Sequence, residues 1–238
     1  MSSPIIITGG AQRLGRACAL HLAKQGYPVV ITYRSADHDL QALQQAGITC
    51  VQADFSDTHG IESFIELIKQ DFSFLRAIIH NASTWQSDEH AENRSEVFDA
   101  MFSVHAKAPY LMNFGLSELL LAQANQGKRA DIIHLTDYVA RKGSRKHLAY
   151  AASKAALDNL TLSFATHLAP LVKVNSIAPA LLMFNEQDSE QYREKAKKKS
   201  LLPPAPGAEE GVKAVDYLLN SDYVTGQILA LDGGRHLV

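Results

Sequence analysis

A tyrosine and a lysine four residues apart, Tyr150 and Lys154, follow Asp137 by thirteen residues in the run D-I-I-H-L-T-D-Y-V-A-R-K-G-S-R-K-H-L-A-Y-A-A-S-K-A-A-L. Side chains at i and i+4 share one face of a helix. An ammonium beside a phenol favours the phenolate and lowers a pKa that is otherwise about 10. Such a tyrosine is a usable acid near neutral pH. The same pair also occurs on solvated helices without chemistry, so its meaning depends on what accompanies it.

A second feature lies at the other end of the chain. Pro4 to Leu22 reads as a short β-branched run, a glycine turn and apolar residues at helical spacing, which is strand, tight turn and helix. Gly9 and Gly15 give such a turn backbone freedom and allow a ligand close approach. The helix beginning near Arg13 and Leu14 aims free N–H groups at an anion, and a pyrophosphate suits that place. A purely structural strand-to-helix connection has the same appearance.

These residues need a scaffold, and the 238 residues are enough for one α/β domain. Strand-like runs fall at Ile5–Thr8, Val29–Tyr33, Thr49–Gln52, Ala77–His80, Asp131–Leu135, Val172–Ser176 and Ile228–Leu231, mostly with helix-length stretches between them. That alternation predicts βαβ units, and several consecutively apolar strands predict helices on both faces of a doubly wound parallel sheet. Pro179 to Gly207 is the longest irregular stretch. Its centre, Gln187 to Lys199, can be helical, and residues 180–207 are expected to form a substrate lid within a single domain spanning 1–238.

The formal net charge of −2 gives no electrostatic reason to expect nucleic acid or an anionic membrane. Cys18 and Cys50 form no C-x-x-C and read as small buried hydrophobes in a reducing compartment. No basic and apolar leader and no long apolar run is present, so a soluble cytoplasmic protein is expected. His80, His105, His134, His147 and His167 show no ligand spacing, and no metal is expected.

Thr8-Gly9-x-x-x-Arg13-Leu14-Gly15, Asn81-Ala82, Asp137…Tyr150-x-x-x-Lys154, Asn175-x-Ile177-x-Pro179 and Asp232-Gly233-Gly234 resemble, in order and spacing, the short-chain dehydrogenase/reductase family over essentially the full length. The resemblance implies a Rossmann-type, mostly parallel seven-stranded sheet and hydride transfer with a nicotinamide. Arg13 stands where the family usually has its middle glycine, and Asp137 where it has a catalytic serine. With Asn81-Ala82-Ser83-Thr84-Trp85, Tyr33-Arg34-Ser35 and L-D-G-G-R-H-L, these departures resemble the pteridine reductase branch. His105 stands where the wider family has an asparagine that helps hold a proton-relay water, and an imidazole could serve there.

An arginine after the second strand accommodates a 2′-phosphate where a carboxylate would bind a free ribose hydroxyl. Arg34 with Ser35, and no acid before Asp37, predicts NADP(H), although Arg34 could also be a solvated loop residue. By resemblance Asp54 binds the adenine amino group; it could equally cap the helix starting near Ser56. The resemblance also assigns Phe55, Asn81, Ala82 and Pro179 to the cofactor surface and Lys154 to the nicotinamide ribose.

A serine suits polarisation of a ketone, whereas reduction of a C=N bond needs a proton at nitrogen, which a carboxyl can carry. Asp137 could also be a simple turn cap. Trp85, the sole tryptophan, could stack on a fused heteroaromatic ring or pack in the core. Ser83 could bind the ring's polar edge or the cofactor, and Arg13, near the pyrophosphate, could contact both phosphate and substrate. These residues point to dihydropterin reduction by NADPH, and the resemblance implies dihydromonapterin as the favoured substrate with dihydrofolate reduced weakly. The alternatives are a generic NADP(H) carbonyl reductase acting on a ketone or 3-oxoacyl group and a catalytically silent NADP(H)-binding regulator. The resemblance further implies a homotetramer built through helices around Ala100–Leu121 and Ala149–Ala169.

Overall fold

Three consecutive isoleucines form the first strand, β1 (Ile5–Ile7), and all three are fully buried, as befits a strand covered on both faces. The computed structural model describes residues 3–35, 39–89 and 91–238. After β1 come α1 (Arg13–Lys24), β2 (Val29–Tyr33), a short α2 (Gln41–Gln45), β3 (Thr49–Gln52), α3 (Thr58–Asp71) and β4 (Ala77–His80). Then α4 (Arg94–Phe102) passes through one π-helical turn, Ser103–Lys107, into α5 (Ala108–Gly115) and α6 (Ser117–Ala124). The chain continues through β5 (Asp131–Leu135), α7 (Val139–Lys142), α8 (Leu148–Leu168), β6 (Lys173–Pro179), α9 (Glu190–Lys197), α10 (Ala208–Asn220) and β7 (Ile228–Leu231).

The seven strands are parallel in the order β3-β2-β1-β4-β5-β6-β7. Alternation along β1 splits the core in two. Ile5 and Ile7 pack with Leu14, Cys18 and Leu22 of α1 and Val215 of α10, whereas Ile6 joins Ile61 and Ile68 of α3 and Met112 of α5. This is the expected doubly wound, Rossmann-type arrangement. Helix α3 shows how the sequence makes it: Ile61, Phe64, Ile65 and Ile68 form one buried stripe, and Asp57 accepts the Gly60 N–H at 2.8 Å as N-cap.

Boundaries differ in three places. β1 stops at Ile7: the Thr8 N–H still donates to the Ile79 carbonyl at 3.0 Å, and the chain turns at Gly9, where φ is +62°. β6 runs on to Pro179, carried by pairing with β7 from Ser176↔Ile228 to Pro179↔Leu231. The helix in the irregular stretch is α9, which begins only after Ser189 caps it by accepting the Tyr192 N–H. Cys18 is buried, whereas Cys50, on the outer strand β3, is only half-buried.

The amino-terminal edge of the sheet holds an ion cluster that pattern reading misses. Asp131, 1% exposed, pairs with both Arg76 and Lys173. Arg76 Nη2 also donates to the Leu219 carbonyl at 2.7 Å and Lys173 Nζ to the Leu218 carbonyl at 2.9 Å. These carbonyls lie at the negative end of α10, so one carboxylate and one helix end balance two cations. Asp131→Asn strands both cations and should lower unfolding free energy by about 3–5 kcal/mol, read as a lower urea midpoint. NADPH affinity of the folded variant should not change, because the substitution lies at the far edge of the sheet from the glycine turn.

Candidate active site

Beyond the carboxyl ends of β1 and β4 the two segments are locked together. The Thr8 hydroxyl accepts the Asn81 and Ala82 N–H groups at 3.0 and 2.9 Å, and Asn81 Nδ2 donates to the Thr8 and Gly9 carbonyls at 3.0 and 2.9 Å. A β-carbon on Gly9, whose φ is +62°, would lie 2.8 Å from Ala82 Cα. One on Gly15 would lie 2.5 Å from Asn81 Nδ2. Both glycines are thus required by close approach. Arg13 adopts φ 51°, the left-handed region that disfavours side chains, which explains physically why glycine is usual there.

Gln12, the N-cap of α1, caps nothing with its side chain, so the first-turn N–H groups are left for an anion. From this turn a cavity of about 180 Å³ runs between Arg34 and Ser35 at one end and Ser83 at the other, past Asp54 and Phe55. Cradle, uncapped helix and cavity fit the adenosine and phosphate part of a dinucleotide. Arg34 is exposed, and its carbonyl accepts from Gln52 Nε2 at 3.0 Å. Asp37 lies outside the described residues.

Three of the predicted residues have further partners within the protein. The Leu14 side chain is buried in the core, where a β-carbon on Gly211 would come within 2.5 Å of it, so only its backbone can face a ligand. The Arg13 guanidinium reaches past the turn, donating to Asn185 Oδ1 at 2.8 Å and the Met183 carbonyl at 3.1 Å. Asp54 Oδ1 accepts the Ser56 N–H at 2.9 Å, a local turn, and the helix cap belongs to Asp57.

Tyr150 and Lys154 lie one turn apart on α8. The Tyr150 hydroxyl donates to Asp137 Oδ2 at 3.0 Å, and Asp137 Oδ1 accepts the Val139 N–H at 2.9 Å. Lys154, 3% exposed, donates to the Leu135 carbonyl at 2.8 Å, with its ammonium 5.7 Å from the Tyr150 ring centre. Burial lifts the Asp137 carboxyl above its ordinary range against the pull of the Val139 N–H, Lys154 and Tyr150. Burial also brings Lys154 down to about 8, opposed by Asp137 and Asp158.

Tyr150 behaves opposite to expectation. Burial and then the adjacent Asp137 push its phenol well above 10, opposed by a hydrogen bond from Ser83, so the hydroxyl is a neutral donor. The arrangement can share one proton between a carboxyl and a phenol.

His105 sits in the π-helical turn, a distortion frequent at functional sites. Its Nε2 accepts the Thr84 N–H at 3.2 Å and lies 2.9 Å from Ser83 Oγ. The ring proton is therefore on Nδ1, 2.9 Å from Ser153 Oγ, which donates to the Tyr150 carbonyl at 2.8 Å. Burial and Lys154 bring its pKa down to about 2. Both nitrogens are engaged, and His105 braces the Ser83 loop against α8.

Trp85 is 66% exposed, which removes the core reading. Its ring tilts against His147, with centres 4.5 Å apart. Pro179 ends β6, and its carbonyl accepts the Tyr138 N–H at 3.1 Å. Sequence reading missed Asp158, buried one turn beyond Lys154, although the i,i+4 spacing signals it. It also missed Asp88, which contacts the start of α8 without any local signal. Among the described residues no cluster of His, Cys, Asp or Glu could hold a metal ion, and no helix is long and apolar enough to cross a membrane.

A family model described as enoyl-(acyl carrier protein) reductase matches residues 9–236. The dihydromonapterin reductase of Enterobacter sp. strain 638 is 52% identical over 234 residues, covering 98% of this chain and 97% of that protein. That of Escherichia coli O6:H1 strain CFT073 is 50% identical over 236 residues, covering 99% and 98%. The crystal structure of alternative dihydrofolate reductase 1 from Brucella suis, in complex with NADP, matches with a TM-score of 0.87 at 29% identity and covers 99% of this chain and 96% of its own. With the glycine turn, the Tyr150/Lys154 helix and the sheet order found above, the chain belongs to the short-chain dehydrogenase/reductase family and, within it, to the pteridine reductase branch.

Proposed function

We propose that the protein is an NADPH-dependent dihydropterin reductase that converts dihydromonapterin to tetrahydromonapterin and reduces dihydrofolate weakly. The observation that carries this reading is the 3.0 Å hydrogen bond from Tyr150 to Asp137, a carboxyl in place of a serine. Bound NADPH supplies the hydride to the carbon of the C=N bond. Tyr150 and Asp137 hold the proton that goes to its nitrogen, the raised Asp137 pKa keeping that proton available further toward neutrality. Lys154 holds the nicotinamide ribose hydroxyls and keeps positive charge beside the pair.

Arg34 and Ser35 take the 2′-phosphate, Asp54 the adenine edge, and Gly9, Gly15 and the start of α1 the pyrophosphate, with Phe55, Asn81, Ala82 and Pro179 completing the cofactor surface. Trp85 stacks on the pterin and Ser83 binds its polar edge. Arg13 serves phosphate and substrate from its position against 183–185, part of the 180–207 lid of one reductase domain. Exposed Phe98, Tyr110, Phe114 and Leu162 on α4, α5 and α8 support a homotetramer assembled through those helices. We place the enzyme in the cytoplasm, where the free thiols of Cys18 and Cys50 stay reduced.

Steady-state NADPH oxidation should be fast with dihydromonapterin, slow with dihydrofolate and negligible with simple ketones. Ready turnover of ketones with none of dihydropterins would sink the reading. Trp85→Ala should raise the pterin KM by about 2- to 10-fold, the worth of an aromatic stack, while the Kd for NADPH holds.

Tyr150→Phe should lower kcat by about 10²-fold or more with NADPH still bound, and Asp137→Asn should also be slow. Near-normal kcat in the second variant would make Asp137 structural. The pH profile follows from the same groups. Lys154 is charged below about 8 and neutral above it, so kcat should fall as pH rises through that value. A profile flat up to the ordinary lysine value of 10.5 would contradict this.

Arg34→Asp should weaken NADPH use far more than NADH use. An unchanged cofactor preference removes Arg34 from the 2′-phosphate site.

A further inference from the structure

The helix that carries Tyr150 is capped from another part of the chain. His147 is the N-cap residue of α8, yet its side chain accepts none of the free N–H groups. Asp88, 60 residues before Leu148, does so instead: Oδ2 accepts the Leu148 N–H at 2.6 Å and Oδ1 the Ala149 N–H at 3.4 Å. Its carboxylate also meets the positive end of the helix dipole.

Further contacts join the same two stretches. The Asp88 N–H and the Ser87 hydroxyl both donate to the Lys146 carbonyl, at 3.1 and 3.2 Å. His147 Nδ1 lies 3.2 Å from the Gln86 carbonyl, and Lys146 Nζ lies 3.0 Å from Glu89 Oε2. Trp85 opens one stretch and rests on His147. Tyr150 directly follows the other.

We propose that Asp88 is a positioning residue for the reduction: by capping α8 from the loop that carries Trp85, it sets the distance between the ring-stacking surface and the Tyr150 hydroxyl. The proposal rests on the dihydropterin reading. A ring held on Trp85 meets the proton donor correctly only if loop and helix move as one body, and a misplacement of about 1 Å can cost about 10²-fold in rate.

Trp85 is the only tryptophan, so intrinsic fluorescence reports the loop directly. Asp88→Ala should shift its emission to longer wavelength, make it more quenchable by acrylamide, raise the dihydropterin KM about 5-fold, the equivalent of one lost N-cap, and lower kcat. The Kd for NADPH should not move. Asp88→Asn keeps an oxygen acceptor for Leu148 and should recover most of both emission and KM.

Wild-type emission and KM in Asp88→Ala overturn the proposal. So does a uniform loss in which NADPH affinity falls as well and Asp88→Asn rescues nothing, the pattern of a merely destabilised helix. Should Asp88→Ala not fold, hydrogen exchange of the wild-type enzyme decides: the amides of 86–89 should open together with those of Leu148 and Ala149 as one unit, and independent opening refutes the tie. Fluorescence and exchange need no substrate. A wild-type enzyme inert toward dihydropterins therefore defeats the functional reading alone, and the tie is judged separately.

Discussion

Two chain segments that meet where the sheet changes direction govern the rest of the molecule. From β1 the strand order runs one way through β2 and the other way through β4, and a parallel sheet leaves its ligand crevice at such a switch point. Thr8 and Asn81 close that point with four hydrogen bonds between 2.9 and 3.0 Å. The closure leaves no volume for a β-carbon at Gly9 or Gly15. It therefore fixes where α1 begins, where the cavity runs and in which direction the Ser83–Trp85 segment leaves β4.

Buried charge is handled in opposite ways at the two edges of the sheet. At the amino-terminal edge Asp131 meets two cations directly, and both are further satisfied by carbonyls of α10. At the other edge Lys154 donates to a carbonyl, not to a carboxylate, and the hydroxyl partner of Asp137 is neutral. Desolvation consequently dominates there, lifting the carboxyl and lowering the ammonium to about 8. The raised carboxyl suits a group that must hold a proton nearer neutrality, while the ammonium, still charged below about 8, supplies the positive charge beside it.

The strands were legible because each is a short β-branched or apolar run, and the stripe of Ile61, Phe64, Ile65 and Ile68 made α3 equally plain. The Tyr150, Lys154 and Asp137 grouping was legible because two members share a helix turn. What stayed hidden depends on contacts between distant residues. Asp131 and Lys173 are 42 positions apart, Asp88 and Leu148 are 60, and Arg13 and Asn185 are 172. The phenol's pKa was misjudged for a related reason: spacing shows that a lysine is near, but not that burial and a carboxylate act on the hydroxyl more strongly.

Asp137 and His105 make sense together. With a serine at position 137 the tyrosine is the one acid of the pair, and once spent the phenol must be reprotonated through bound water, which is the use of an asparagine that holds such water. A carboxyl at position 137 with a raised pKa is a second proton carrier, hydrogen-bonded to the phenol itself. The water-holding position is then free for another task. His105 uses it to connect Thr84 and Ser83 on one side with Ser153 on the other, and burial keeps the ring neutral, so it adds no second cation beside Lys154. In the proposed mechanism one substitution supplies the acid, and the other stiffens the loop that must hold the ring against it.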